Sequence, residues 1–134
     1  MAPKIEAIGA TLGAVITNIN LANVTQTDWQ LIDEAFDDYA LLVFPDQFLS
    51  EDAQVDFSEH FGEIEMLRGA GGGKAVPMSN QKADGTVLKV DDEDDKHRFM
   101  TLRGNEGWHM DSTYMPLAAK AGVLSAKVVP SSGG

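Results

Sequence analysis

The residues with the clearest potential for chemistry are His109 and Asp111, which lie two positions apart in the segment Trp108 to Tyr114. This segment is rich in tryptophan, threonine and tyrosine, which favour extended structure. Successive side chains of a strand alternate between its two faces, so the histidine and the aspartate would point the same way. From one face, an imidazole nitrogen and a carboxylate oxygen can bind the same metal ion.

Two such ligands and a second histidine make the 2-His-1-carboxylate triad, which binds iron(II) and leaves positions open for a cosubstrate and dioxygen. The same spacing has a simpler interpretation, because a histidine near an aspartate often forms only a hydrogen-bonded pair. Neither remaining histidine is a good third ligand: His60 is predicted on a helix surface, and His97 lies in a charged run. From spacing alone, both interpretations stay open.

The composition excludes several other classes of function. The 134 residues include 21 acidic and 10 basic side chains, a formal charge of -11, and no basic cluster, so binding to nucleic-acid phosphates is not expected. The absence of cysteine excludes disulfides, thiolate metal sites and cysteine nucleophiles. The longest apolar run, Ala40 to Pro45, is too short to cross a membrane. We therefore expect a cytoplasmic protein.

The elements that position the pair begin with two strands and a helix in the N-terminal half. A short strand is expected within Leu12 to Ile19, and a strand buried on both faces over Ala40 to Phe44. Between them, Thr27 and Gln30 have the spacing of a capping box that begins an amphipathic helix. The order of elements is therefore strand, helix, strand.

A second helix and several further strands are predicted after this unit. Ser50 is expected to cap the helix, and Gly62 to end it as a left-handed cap. The glycine-rich stretch Arg68 to Gly73 is expected to form a mobile loop that could act as a lid. Asp91 to Lys96 is expected to be a solvated turn. Further strands are predicted at Thr86 to Val90, Trp108 to Tyr114 and Ala121 to Val129.

Several motifs occur together here that also occur together in one enzyme family. They are the W-H-x-D run from Trp108 to Asp111, the P-S-x-G-G turn from Pro130 to Gly134, the Leu42 to Phe44 strand followed by Asp46-Gln47, and Phe61-Gly62-Glu63. In these motifs and their separation, the sequence resembles the taurine and 2,4-dichlorophenoxyacetate dioxygenases. That family consists of iron(II)- and 2-oxoglutarate-dependent oxygenases.

The resemblance implies an α+β fold with a double-stranded β-helix core, a jelly roll of the cupin kind, and flanking helices. Residues 1–134 would be the N-terminal part of a single oxygenase domain. The family's second histidine and its 2-oxoglutarate-binding arginine lie beyond the P-S-x-G-G turn, so we expect this chain to be part of a longer enzyme. The alternative is a truncated, catalytically inactive metal-binding or interaction module.

The resemblance also implies roles for individual residues. His109 and Asp111 would be the iron ligands and the catalytic residues, and Asn105 would lie close to the cosubstrate. Asn105 has an equally good interpretation as a loop residue that forms a turn with the glycines on either side of it. Trp108 is expected to pack behind the metal-binding strand.

The reaction implied by the family is hydroxylation of a small organic acid, with iron(II) as the metal, 2-oxoglutarate and dioxygen as cosubstrates, and succinate and carbon dioxide as coproducts. We expect an aryloxyalkanoate-like or sulfonate-like acid. Taurine itself is not expected, because Met66 to Arg68 stand where taurine users have a histidine. We further expect a homo-oligomer with no nucleic-acid or membrane partner. The candidate cations for the acid are Arg68, Lys74 and Arg103, although for each one singly a surface charge on a mobile loop is the favoured interpretation.

Overall fold

The computed structural model of the chain describes residues 1–66, 74–129 and 131–132. The predicted glycine-rich lid and most of the P-S-x-G-G turn lie outside the described residues. None of the described helices is long and apolar enough to cross a membrane. The contacts form two compact units, the first containing residues 1–64 and the described residues from 123 onward, the second containing the described residues of 65–122.

The first unit contains a three-stranded sheet in the order β1 (Lys4–Ala7), β2 (Ala14–Thr17) and β3 (Leu42–Val43). β1 runs antiparallel to β2, and β2 runs parallel to β3. The strand predicted within residues 12–19 is confirmed as β2, whereas β1 was not predicted. The strand predicted over residues 40–44 forms only as β3. It is not buried on both faces, because Val43 is exposed.

The connection from β1 to β2 depends on Gly13, which has a φ of 105°. A Cβ at this position would lie 2.5 Å from the Cδ1 atom of Ile8, and the backbone N–H of Ile8 donates to the Gly13 carbonyl at 3.1 Å. A side chain at position 13 would displace the end of the Ile8 side chain, and the backbone would be strained because L residues rarely adopt this φ. The positive φ is the main reason for glycine here.

Helix α1 (Gln26–Tyr39) joins β2 to β3 after a short 3-10 helix at Leu21–Asn23. It begins two residues earlier than the predicted capping box. The Thr25 hydroxyl accepts from the Asp28 N–H at 3.2 Å, and the Asp28 carboxylate accepts from the Thr25 N–H at 3.0 Å. The prediction was wrong because Thr25 and Thr27 are each followed three residues later by a side chain that can complete a capping box. The helix uses Thr25 with Asp28.

Replacing Thr25 by alanine is expected to lower the free energy of unfolding by about 1 kcal/mol, since an N-cap acceptor is lost. Urea denaturation followed by tryptophan fluorescence measures this change. The matched control is Thr27→Ala, which removes a threonine from an exposed position of the same helical turn. Equal destabilisation by the two variants would contradict the cap seen in the structure.

Helix α2 (Glu51–Ser58) is capped by Ser50, as predicted, because the serine hydroxyl accepts from the Ala53 N–H at 3.2 Å. The predicted end of this helix was wrong. α2 stops at Ser58, and its cap residue Glu59 keeps a right-handed conformation. Gly62 has a φ of 146° but lies beyond the cap, after one further turn of chain.

The core of the first unit lies between α1, α2 and the segments that join them. Phe57 is central, with Phe44 and Phe61 in edge-to-face contact at ring-centroid distances of 6.0 and 5.8 Å. Edge-to-face pairs stabilise a core beyond the area that they bury. The buried residues of this cluster are Leu21, Ile32, Leu49 and Phe57.

Two polar side chains hold irregular segments to this core. The Gln47 amide accepts from the Leu21 N–H at 2.9 Å and donates to the Ile19 carbonyl at 3.2 Å. The Gln54 amide donates to the Val123 carbonyl at 3.0 Å. The segment after Val123 is thereby held to α2, but the strand predicted over residues 121–129 does not form.

The second unit contains α3 (Glu93–Gly104), capped by Asp92. The run of residues 91–96 is largely exposed, as predicted, but the predicted turn was wrong, since most of the run is the first turn of a helix. Acidic residues suit this position because the N-terminus of a helix carries partial positive charge. Asp95 is buried and forms an ion pair with Lys82 at 2.8 Å. The hydrogen bond from Lys82 lowers the pKa of Asp95 below its ordinary value.

The two strands predicted in this unit do not form. Residues 86–90 contribute only an isolated bridge between Gln81 and Val87. Residues 108–110 have no regular structure, and residues 111–114 form a turn. Among the described residues of this unit no neighbouring strand pairs with either segment, and a strand needs such a neighbour for its backbone hydrogen bonds.

Candidate metal centre

His109 and Asp111 lie in the irregular segment that follows α3. The Nε2 atom of His109 and the Oδ1 atom of Asp111 are 3.2 Å apart. The predicted alternation along a strand does not explain this contact, because no strand forms here. Instead, Asp111 begins a turn in which Ser112 has a φ of 60°, and this turn directs the carboxylate toward the imidazole. The two predicted ligands are therefore brought together by a different backbone geometry.

The other nitrogen of the imidazole is also engaged. Nδ1 of His109 lies 2.8 Å from the carbonyl oxygen of Gly107. A carbonyl oxygen only accepts hydrogen bonds, so Nδ1 carries a proton in this contact. In a neutral imidazole Nε2 is then left with its lone pair, which is the form that binds metals. The Gly107 carbonyl thus orients the ring and selects its tautomer.

This arrangement fits a divalent metal ion. With neutral His109, lone pairs of Nε2 and of the Asp111 carboxylate face each other across 3.2 Å, which is favourable only with a cation between them. Two ligand atoms about 2.1 Å from one metal, at a right angle, are about 3.0 Å apart. The spacing in the structure is close to that value. The same contact also suits a protonated histidine, which would form an ordinary ion pair.

The pair is open to solvent in the described chain. The His109 side chain is 48% exposed and that of Asp111 is 86% exposed. Among residues 1–66, 74–129 and 131–132, no group of three or more histidine, aspartate or glutamate side chains is arranged to hold a metal ion. The described residues thus supply two neighbouring ligand atoms and an accessible face.

Other residues singled out from the sequence have different positions. Asn105 is the C-terminal cap residue of α3, and its N–H donates to the Leu102 carbonyl at 3.1 Å, which matches its interpretation as a turn residue. Trp108 is fully exposed, so the prediction that it packs behind a metal-binding strand was wrong. Without a strand at this position, the indole has no sheet to cover.

The remaining histidines are both exposed, as their predicted places on a helix surface and in a charged run required. His60 stacks on Trp29 with a ring-centroid distance of 5.0 Å. Of the three candidate cations, Arg103 is exposed near the end of α3, and Arg68 lies outside the described residues.

One residue beside the pair was not found by sequence reasoning. The carboxylate of Glu65 accepts a hydrogen bond from the Ser112 hydroxyl, although the two residues are 47 positions apart. Ser112 directly follows Asp111. No spacing or composition signal connects two such distant positions, so this contact is visible only in the folded chain.

Comparisons with known proteins place these residues in a family. The family model described as "Taurine catabolism dioxygenase TauD, TfdA family" matches residues 4–134. In structure, the chain is similar to AAD-2, solved in complex with Mn(II) and N-oxalylglycine. That comparison has a TM-score of 0.69 and 27% identity, and covers 88% of this chain and 39% of the other.

Curated relatives are more similar in sequence. The chain is 44% identical over 131 residues to an "(S)-phenoxypropionate/alpha-ketoglutarate-dioxygenase" of Delftia acidovorans, covering 98% of this chain and 44% of the relative. A protein of the same name from Sphingobium herbicidovorans is 44% identical over 130 residues, covering 97% of this chain and 42% of that protein. The "Alpha-ketoglutarate-dependent 2,4-dichlorophenoxyacetate dioxygenase" of Cupriavidus pinatubonensis is 33% identical over 121 residues, covering 81% and 39%.

The chain thus spans less than half the length of these curated relatives. The family match nevertheless includes both residues of the candidate metal centre and nearly every residue of the sequence. The names of these three relatives all include alpha-ketoglutarate. The chain belongs to the TauD, TfdA family of dioxygenases.

Proposed function

We propose that the protein containing this chain is an iron(II)- and 2-oxoglutarate-dependent dioxygenase, with His109 and Asp111 as two of its metal ligands. The observation that carries the proposal is the 3.2 Å contact between Nε2 and Oδ1, together with the Nδ1 contact to the Gly107 carbonyl. In the neutral imidazole, the contact with Gly107 leaves the lone pair on Nε2, which is the atom that faces Asp111 and could bind a metal. Membership of the family supports the choice of reaction.

When bound, the iron would bind the cosubstrate and activate dioxygen for hydroxylation of the substrate. The described residues act by holding two ligand atoms on one side of the metal. In the neutral imidazole, the Gly107 carbonyl selects the tautomer with its lone pair on Nε2, and the turn at Ser112 directs the Asp111 carboxylate. Asn105 is a weaker proposal, as a polar residue near the cosubstrate four positions before the histidine. The third ligand and an arginine for 2-oxoglutarate would come from other residues.

We propose further that this chain is the N-terminal part of a single oxygenase domain with a jelly-roll core. The described chain itself is an α+β structure with a three-stranded sheet. Many large apolar side chains near its C-terminal end are exposed, and such residues normally mark a surface that another part of the protein covers. They include Trp108, Leu117, Leu124 and Val128.

For the substrate we propose a phenoxyalkanoate, ahead of a sulfonate. The relatives at 44% identity are named for (S)-phenoxypropionate, and the relative at 33% for 2,4-dichlorophenoxyacetate. Hydroxylation of the carbon between the ether oxygen and the carboxylate gives a hemiketal. Its carbon–oxygen bond to the aryloxy group breaks, the hydroxyl proton is lost, and the products are a phenol and a 2-oxo acid. A phenol is therefore the expected readout.

The test is to supply the protein, as expressed from its gene, with iron(II), 2-oxoglutarate, air and one acid at a time. The panel is (R)- and (S)-2-phenoxypropionate, phenoxyacetate and taurine. We expect succinate and phenol in equal amounts with at least one phenoxy acid, none after chelation of the metal, and no succinate stimulated by taurine. Metal-independent succinate, or none with any acid, would contradict the proposal. The absence of succinate with every acid would favour the alternative of an inactive metal-binding or interaction module.

A further inference from the structure

The second unit contains a hydrogen-bonded cluster directly beside the candidate metal centre. Its members are Glu65, Ser112 and Tyr114. The Ser112 hydroxyl donates to Oε2 of Glu65, and the serine is buried. A hydrogen bond between Tyr114 and the Glu65 carboxylate raises the pKa of the tyrosine hydroxyl. One carboxylate therefore contacts two residues of a single turn.

That turn is the one that carries Asp111. Ser112 and Tyr114 are the first and third residues after the aspartate, and the Met115 N–H closes the turn on the Ser112 carbonyl at 3.0 Å. Ser112 has a φ of 60°, a backbone conformation that residues other than glycine rarely adopt. Such a conformation persists where the surroundings hold it in place. Glu65, the first residue of the second unit in sequence, supplies that restraint through its hydrogen bond with Ser112.

The Glu65 carboxylate is not fully satisfied by these contacts. Its Oε1 atom is buried without a hydrogen-bond partner in the part of the chain that the structure describes. A buried carboxylate oxygen without a donor is unfavourable, so such groups are rare and usually have a functional explanation. Packing alone would be served as well by an apolar residue. The hydrogen bond between Glu65 and the turn that carries Asp111 offers a functional explanation for a carboxylate at this position.

We propose that Glu65 is a positioning residue for the metal centre: through Ser112 and Tyr114 it fixes the turn that directs the Asp111 carboxylate toward His109. The inference rests on the proposed function, because it assigns the metal to that pair. Glu65 is not a ligand in this proposal. It acts as the partner that orients a ligand, and partners of this kind commonly change metal affinity when they are removed.

The experiment is a Mn(II) titration of the protein as expressed from its gene, with free Mn(II) followed by electron paramagnetic resonance and no cosubstrate or substrate added. We expect Glu65→Ala to weaken Mn(II) binding by about 10-fold, which is the lower end of the range for residues that orient ligands. Glu65→Gln keeps an acceptor for Ser112 and should stay within about threefold of the wild type. The matched control is Glu63→Ala, which removes an exposed glutamate two positions away and should change nothing.

A second variant keeps the test informative if Glu65→Ala folds poorly. Ser112→Gly removes the hydroxyl, while glycine adopts a φ of 60° without strain. We expect it to weaken Mn(II) binding, though by no more than Glu65→Ala does, because the contact between Glu65 and Tyr114 remains. The double variant should bind no more weakly than Glu65→Ala alone, because that variant has already lost the contact with Ser112. Full affinity in Ser112→Gly would overturn the inference.

His109→Ala separates this inference from the function on which it rests. If His109→Ala loses Mn(II) binding while Glu65→Ala binds as tightly as the wild type, the positioning role is wrong and the metal centre stands. If the wild type and His109→Ala bind Mn(II) equally, the metal centre itself is wrong and both proposals fall. A lower melting temperature for Glu65→Ala with unchanged Mn(II) affinity would assign the residue a structural role only.

Discussion

Replacing His109 by alanine is expected to lower 2-oxoglutarate-dependent succinate formation by at least about 100-fold, because metal catalysis supplies several kcal/mol of transition-state stabilisation. The substitution removes the only atom of this side chain that faces Asp111 and leaves the carboxylate without its partner. Succinate is measured with saturating iron(II), 2-oxoglutarate and the best acid of the panel. Mn(II) binding should weaken in parallel.

The matched control for this prediction is His97→Ala. His97 is an exposed histidine of α3 in the same unit, and its backbone carbonyl accepts a hydrogen bond from the Thr101 hydroxyl. Its replacement should leave succinate formation within about twofold, as expected of a surface substitution. Similar losses in both variants would show that the effect is not specific to the metal centre.

The largest loss of stability is expected for Phe57→Ala, at about 3–5 kcal/mol, because a buried phenylalanine is removed from a packed core. Only 3% of Phe57 is exposed, and its ring contacts those of Phe44 and Phe61. Urea denaturation measures the loss. Trp29 reports on it by fluorescence, because its ring lies 4.8 Å from that of Phe61.

Phe48→Ala is the matched control for the core prediction. The same side chain is removed from a position that is 89% exposed, so the free energy of unfolding should change by less than about 0.5 kcal/mol. If Phe57→Ala cost no more than Phe48→Ala, the core built around α1 and α2 would be misassigned.

Local signals in the sequence predicted part of the first unit. The β2 strand, the helix after it and the Ser50 cap of α2 each depend on residues within a few positions of one another. The wrong choice between Thr25 and Thr27 has the same origin. Both threonines are followed three positions later by an acceptor side chain, and only the folded helix shows which one caps it.

The second unit could not be predicted in the same way, because non-local contacts define it. The ion pair with Lys82 buries one member of the acidic run, Asp95, and nothing in the run itself distinguishes this residue from its exposed neighbours. α3 was missed for a different reason: its apolar positions are few and its first turn is almost entirely acidic, so it lacks the pattern of an amphipathic helix. Strand predictions failed at residues 108–114 because extended residue types form a strand only beside a partner strand.

The candidate metal centre shows both what sequence reasoning could predict and where it stopped. Residue types and family motifs identified His109 and Asp111, and the structure brings these side chains to 3.2 Å from each other. The predicted mechanism of their approach, alternation along a strand, was wrong. A turn with a left-handed Ser112 produces the contact, and the distant Glu65 contacts that turn. Neither feature follows from the spacing of two residues.

The most direct test of the central claim is an anomalous-scattering map from crystals of the protein, as expressed from its gene, grown with Mn(II). The account predicts one strong peak about 2.0–2.2 Å from Nε2 of His109 and from a carboxylate oxygen of Asp111, with Nδ1 still facing the Gly107 carbonyl. A manganese peak at another position, with the histidine and the aspartate in contact only with each other, would contradict the account.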